Sequence, residues 1–118
     1  MPMLTHELAA LTGIDDARIQ KACEAGLFKH ARKREGEWHI PLIDVSHCLL
    51  RGAKVQQLYT LREFAALLSL SYSFIHKATK RAVGDAAPRL KTITVFGQIR
   101  IPEEEYWRVT GLKARKRR

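Results

Sequence analysis

Tyr72, Ser73, His76, Lys77, Lys80 and Arg81 follow one another at intervals of one, three, one, three and one. On an α-helix these intervals put all six on one outer face. Such a face carries ammonium, guanidinium, imidazole and hydroxyl groups, which donate to phosphate oxygens and to base edges. Two other basic groups add to it. Arg32, Lys33 and Arg34 are consecutive, and the last six residues hold five positive charges, Lys113, Arg115, Lys116, Arg117 and Arg118. Over 118 residues, 21 Lys and Arg stand against 12 Asp and Glu, a formal charge of +9. That excess points to a polyanionic partner. The competing reading of each basic group is a solvated surface, and for the last six residues a disordered solubilising end.

Two other chemistries are weighed and set aside. Cys23, His30, His39, His47 and Cys48 supply metal-ligand types, but no pair has the C-x₂-C or H-x₃-H spacing of a zinc site. No phosphate loop occurs, and no nucleophile stands with a base. The sequence therefore predicts no enzyme, no metal and no cofactor. Two cysteines are too few for a disulfide scaffold. No apolar run reaches about 18 residues, and the start lacks a signal-peptide pattern, so a cytoplasmic protein without membrane contact is expected.

The elements that must carry these residues come in pairs. With Glu7 set on Glu63, the residues Ala9, Ala10, Leu11, Ile19, Lys21 and Ala22 fall on Ala65, Ala66, Leu67, Ile75, Lys77 and Ala78. That is seven identities in a window of sixteen. With five more residues in the second copy, Gly36, Ile40 and Pro41 fall on Gly97, Ile101 and Pro102. An internal repeat implies one structural unit used twice. The expected division is 1–54, 55–112 and a basic tail 113–118, with no Ser/Gly-rich spacer between the units.

Within the first unit the sequence predicts a helix over Thr5–Leu11, broken at Thr12-Gly13. Ala9 and Ala10 are small enough for a close helix crossing. Asp15 then caps a second helix that runs to about Ala25, where Gly26 supplies a left-handed stop. Ile19, Ala22 and Cys23 form its inner stripe. A strand over Phe28–Lys33, a turn at Arg34–Glu37 and a returning strand at Trp38–Ile40 make a hairpin. Pro41 opens a third helix to about Arg51, with Ile43, Val45, Leu49 and Leu50 as its apolar side.

The second unit repeats the order more cleanly. Thr60-Leu61-Arg62-Glu63 is a capping box. Ser71 caps a second helix whose inner stripe is Phe74, Ile75 and Ala78. Gly84–Pro88 is a loop without a counterpart in the first unit. Lys91–Val95 and Ile99–Ile101 form a hairpin about Phe96-Gly97-Gln98. Pro102 starts a last helix with Glu103, Glu104 and Glu105 at its positive end.

This order resembles the excisionase-like and MerR-like winged helix-turn-helix family. Tyr59–Leu68 (Tyr-Thr-Leu-Arg-Glu-Phe-Ala-Ala-Leu-Leu) is similar to that family's opening. Phe96–Pro102 (Phe-Gly-Gln-Ile-Arg-Ile-Pro) is similar to its wing exit. The match covers most of 59–108 and, more loosely, 4–51. The resemblance implies a mainly α fold with small β-hairpin wings. It places the second helix of each unit in the major groove and the wing on phosphates or the adjacent minor groove. The groove-facing positions are then Asp16, Ala17, Gln20 and Lys21 in one unit and Tyr72, Ser73, His76 and Lys77 in the other. Arg32, Lys33, Arg34, Gln98 and Arg100 would lie on or near the wings. The first unit departs from the pattern, since Asp15 and Asp16 put two acids where DNA would approach and Thr5 does not align with Thr60.

The expectation is thus a tandem winged helix-turn-helix protein that binds duplex DNA in a sequence-specific manner. It would act as a mobile-element or phage excisionase-like factor or a transcriptional regulator, with a recombinase or RNA polymerase as further partner and self-association open. The alternative is an adaptor, in which only the second unit reads DNA and the acidic surface of the first holds a protein.

Overall fold

The computed structural model describes residues 2–80 and 89–111. Six α-helices and two three-stranded antiparallel sheets are formed by the described residues. The chain divides into two compact units, Met1–Gln56 and Gln57–Arg118.

Unit 1 runs β1 (Pro2–Leu4), α1 (Thr5–Thr12), α2 (Asp16–Glu24), β2 (Arg32–Arg34), β3 (Glu37–Pro41) and α3 (Leu42–Asp44), which continues as a π-helical turn over Val45–Leu49. Unit 2 runs β4 (Leu58–Tyr59), α4 (Leu61–Leu68), α5 (Tyr72–Ala78), β5 (Ile93–Val95), β6 (Gln98–Pro102) and α6 (Glu103–Thr110). The sheet orders are β1-β3-β2 and β4-β6-β5, so the repeat holds at the level of topology. In each unit the first two helices pack together, α1 on α2 and α4 on α5. The strand before the first helix was not expected. With three residues in β1 and two in β4, neither has room to display an alternating pattern.

Local chemistry explains most boundaries. Thr60 Oγ1 accepts from the Glu63 N–H at 3.1 Å, and Glu63 Oε1 accepts from the Thr60 N–H at 2.8 Å. Unit 1 keeps the carboxylate half of this box, because Glu7 Oε1 accepts from the Leu4 N–H at 2.8 Å. Ser71 Oγ accepts from the Phe74 N–H and starts α5 as expected. Asp15 occupies the N-cap of α2, but its side chain accepts nothing from the helix. Its carbonyl takes the Arg18 and Ile19 N–H groups instead. At the other end of α2, Gly26 has φ +85°, and the Leu27 N–H reaches the Ala22 carbonyl, a Schellman closure.

Both hairpins turn through two residues of positive φ, Glu35-Gly36 and Phe96-Gly97. This is the type I′ pattern, whose twist suits a right-handed hairpin. The helix-to-helix turns also correspond. Gly13 has φ +72° and its equivalent Ser69 has φ +56°. Ser69 therefore sits in a region costly to any residue with a Cβ. We expect Ser69→Gly to stabilise unit 2 by about 0.5–1 kcal/mol. A higher urea midpoint with an unchanged m-value would register the gain, and a lower midpoint would refute it.

The core of unit 2 is Phe64, Ala65, Ile75, Ala78, Leu90 and Ile101, with Tyr59, Leu61, Leu68, Phe74, Tyr106 and Val109 packed against it. Leu8, Ile19 and Ile40 are the fully buried equivalents of Phe64, Ile75 and Ile101 in unit 1. Of the small pairs expected at the crossings, Ala65 is buried and Ala9 half-buried, while Ala10 and Ala66 face solvent.

Three further expectations are corrected. The strand drawn over Phe28–Lys33 is reduced to Arg32–Arg34. Phe28 turns into the core, and the His30 N–H leaves the ladder for Asp44 Oδ2 at 2.5 Å. The third helix ends at Leu49, not Arg51, and widens on the way. The Leu50 N–H reaches Val45 O and the Gly52 N–H reaches Ser46 O, with Arg51 and Gly52 both at positive φ. Ile43, expected on its apolar side, is 60% exposed.

The repeat also extends to a pair of buried acids that sequence identity hides. Asp44 and Glu105 stand three residues after Pro41 and Pro102, at 3% and 2% exposure. Each accepts the backbone N–H of the residue fourteen positions earlier, His30 or Lys91. Each also has a side-chain partner. The His30 ring lies 2.8 Å from Asp44 Oδ1, and Arg108 forks onto both oxygens of Glu105. Burial pushes both carboxyls up. The hydrogen bonds and charges of these partners outweigh it and hold both below their ordinary values. A depressed folded-state value means stability that is present above the unfolded value, near 4, and is lost as pH falls through the folded one. Glu105→Gln should therefore cost about 1.5–3 kcal/mol at pH 7 in denaturant melts. The gap to wild type should close below pH ~4, and a gap constant to pH 2 would refute the role of the charge.

Candidate nucleic-acid interface

In unit 2 the start of α4, the outer face of α5 and the β5–β6 turn enclose an open groove of about 560 Å³. It is lined by Thr60, Leu61 and Arg62 at the start of α4, by Tyr72 and His76 on α5, and by Gly97, Gln98, Ile99 and Arg100 of the hairpin. The Arg62 guanidinium carbon lies 4.8 Å from the Tyr72 ring centroid. The Tyr72 and His76 rings stack at 5.9 Å with 23° between their planes. Three side chains from two helices thus form one ladder, Arg62 on Tyr72 on His76. A cation held over an aromatic face is attracted by the ring quadrupole.

The groove brings together Tyr72, His76, Gln98 and Arg100 from the expected set. Ser73 and Lys77 are exposed on α5 beside it. Lys80 lies in the turn beyond α5, because the helix closes at Ala78 with Thr79 Oγ1 donating to His76 O at 2.7 Å. Arg81, the Gly84–Pro88 loop, and Lys113, Arg115, Lys116, Arg117 and Arg118 lie outside the described residues.

Arg100 departs from expectation. It is only 6% exposed, and its guanidinium donates to Ile99 O and to Gln98 Oε1, both at 2.9 Å. Burial lowers its pKa, against the opposing charge of Glu63. It is a brace for the hairpin rather than an outward cation. Arg62 is the residue that sequence reasoning missed, since the capping box already accounts for its tetrad. The available signal was electrostatic. A cation in the first turn of a helix opposes the helix dipole, so its presence there asks for another purpose.

Unit 1 differs at the corresponding positions. Where unit 2 has Arg62, Tyr72, His76, Gln98 and Arg100, unit 1 has His6, Asp16, Gln20, Glu37 and His39. Two guanidinium groups are replaced by imidazoles, and two carboxylates are added. The Thr5 hydroxyl and the Gln20 side chain beside Asp16, followed by the charge of His6, outweigh burial and hold its carboxyl below the usual range. Positive charge in unit 1 lies elsewhere. Arg32, Lys33 and Arg34 are all exposed on β2, with Arg34 directly opposite Glu37. Gln20 and Lys21 are exposed on α2.

A second groove of about 430 Å³ in unit 1 is lined by Leu27, Lys29, His30, Ile43, Asp44, His47 and Cys48. Cys23 is buried, and burial followed by the charge of Glu24 pushes its thiol up to about 11, which makes it a packing residue and not a nucleophile. Among the described residues no three His, Cys, Asp or Glu side chains are grouped to hold a metal ion, and no helix is long and apolar enough to cross a membrane. Comparison of the chain with models of known protein families, with curated proteins and with solved structures finds no match.

Proposed function

We propose that the chain is a sequence-specific duplex-DNA-binding protein made of two winged helix-turn-helix units, with unit 2 as the principal reader. The observation that carries this reading is the unit 2 groove. An exposed helix face with Tyr72, Ser73 and Lys77 borders a hairpin across a cleft holding Arg62, His76 and Gln98. Such a helix suits the major groove, and the hairpin suits the flanking backbone. The overall charge of +9 supplies the long-range attraction. The repeated helix–turn–helix–hairpin order, with its two type I′ turns, supports the winged reading of both units. In biological terms it fits an excisionase-like recombination factor or a transcriptional regulator.

One observation favours a second reading. Asp16 and Glu37 occupy in unit 1 the places of Tyr72 and Gln98 in unit 2. Carboxylates there repel phosphates, so unit 1 would act as an adaptor for a protein while unit 2 holds DNA. Selection of duplexes from a random pool, followed by footprinting, separates the two. A site with two protected segments supports two readers, and one short segment supports the adaptor. An unenriched pool refutes sequence-specific binding altogether.

A further inference from the structure

We propose that the unit 2 groove is a preorganised seat for one phosphodiester oxyanion, with Arg62 and Gln98 as its donors and Tyr72 and Arg100 as positioning residues. The proposal deepens the DNA-binding reading and rests on it. Its basis is the arrangement of Arg62 and Gln98 along the groove. Arg62 has its guanidinium carbon 4.8 Å over the Tyr72 ring, which anchors a group carrying five N–H donors. Gln98 is fixed in one orientation. Arg100 can only donate, so the Gln98 atom 2.9 Å from it must be the carbonyl oxygen, and the NH₂ is turned the other way. Three side-chain acceptors nearby each already take a donor. Gln98 Oε1 takes Arg100, Thr60 Oγ1 takes the Glu63 N–H, and Glu63 Oε1 takes the Thr60 N–H.

The groove thus offers a guanidinium and an amide NH₂ as donors, while the Thr60, Glu63 and Gln98 side-chain oxygens already take part in the cap and the hairpin brace. A ligand that only accepts and carries negative charge is the match. Planar, paired donation is the geometry by which guanidinium groups hold phosphate oxygens. The seat belongs to unit 2 alone, because unit 1 has His6 for Arg62, Asp16 for Tyr72 and Glu37 for Gln98. One chain therefore has one such seat.

The test uses the full chain and a random-sequence duplex of ~20 bp, titrated across salt. Arg62→Ala should weaken binding roughly tenfold and reduce the salt slope by about 0.9, the signature of one lost phosphate contact. Arg62→Lys should restore the slope but only part of the affinity, since the charge returns without the fork. Gln98→Glu should weaken binding more than Gln98→Ala, because it places a carboxylate against the oxyanion. An unchanged slope for Arg62→Ala, with wild-type binding intact, overturns the seat and leaves the DNA reading standing. Inorganic phosphate is the second probe, read on the NMR signals of the Gln98 side-chain NH₂ and the Arg62 Nε–H. If wild type does not bind the duplex but phosphate shifts both signals and Arg62→Ala abolishes the shift, the site is a small-anion site and the DNA reading fails. If neither ligand acts, both fall.

Discussion

Between 50 and 200 mM salt the affinity of this protein for duplex DNA should fall by roughly a thousandfold, as expected for about six phosphate contacts. The position of the positive charge sets this number of contacts. Arg32, Lys33 and Arg34 on β2, Arg62 in the groove, and Lys77 and Lys80 on and after α5 are six described cations, all exposed or on an open groove. Arg100 is excluded because its guanidinium is engaged within the hairpin. Each contact releases condensed counterions and contributes about 0.9 to the slope of log K against log salt. Fluorescence anisotropy with a labelled duplex measures it. A slope near 5 supports contacts from both units, and a slope near 2–3 restricts contact to unit 2. A flat slope, or no binding at 50 mM, ends the DNA reading.

How far the sequence discloses this molecule depends on which physical signal each part leaves. Elements fixed by local chemistry are legible. The Thr60–Glu63 box, the Ser71 cap, the Gly26 stop and the Gly36 and Gly97 turns each need particular residue types at fixed positions, and all are present. The paired inner stripes Ile19/Cys23 and Ile75/Ala78 are legible because burial imposes a helical period. Elements fixed by long-range pairing are not. β1 and β4 exist only because β3 and β6 offer an edge, and nothing in two or three residues announces that. The Asp44 and Glu105 ties were hidden because different side chains, an imidazole (His30) in one unit and a guanidinium (Arg108) in the other, serve one role. The groove was half legible. Helical spacing groups Tyr72 with His76, but only the folded chain puts Arg62 over Tyr72 and turns Arg100 inward.

Site preference should be lost in the paired change His76→Ala with Lys77→Ala, and only weakened by Gln20→Ala with Lys21→Ala. These are equivalent positions in the repeat, so the comparison controls for place in the fold. Their surroundings differ. His76 is braced by stacking on Tyr72 where it lines the groove, and Lys77 is exposed next to it in sequence. Gln20 lies beside Asp16, whose carboxyl is held in its charged form. A carboxylate at the groove repels phosphates and contributes only by accepting from a cytosine amine, a narrower use. One well-formed base contact discriminates by about 1–3 kcal/mol, so losing His76 and Lys77 together should cut the ratio of specific to nonspecific binding by roughly a hundredfold. The Gln20 and Lys21 pair should cost about tenfold or less. Competition between the selected site and a scrambled duplex, at one fixed salt concentration, reads the ratio directly. The reverse ranking would make α2 the reader, and with it the cytosine-accepting use of Asp16 would become the principal source of specificity.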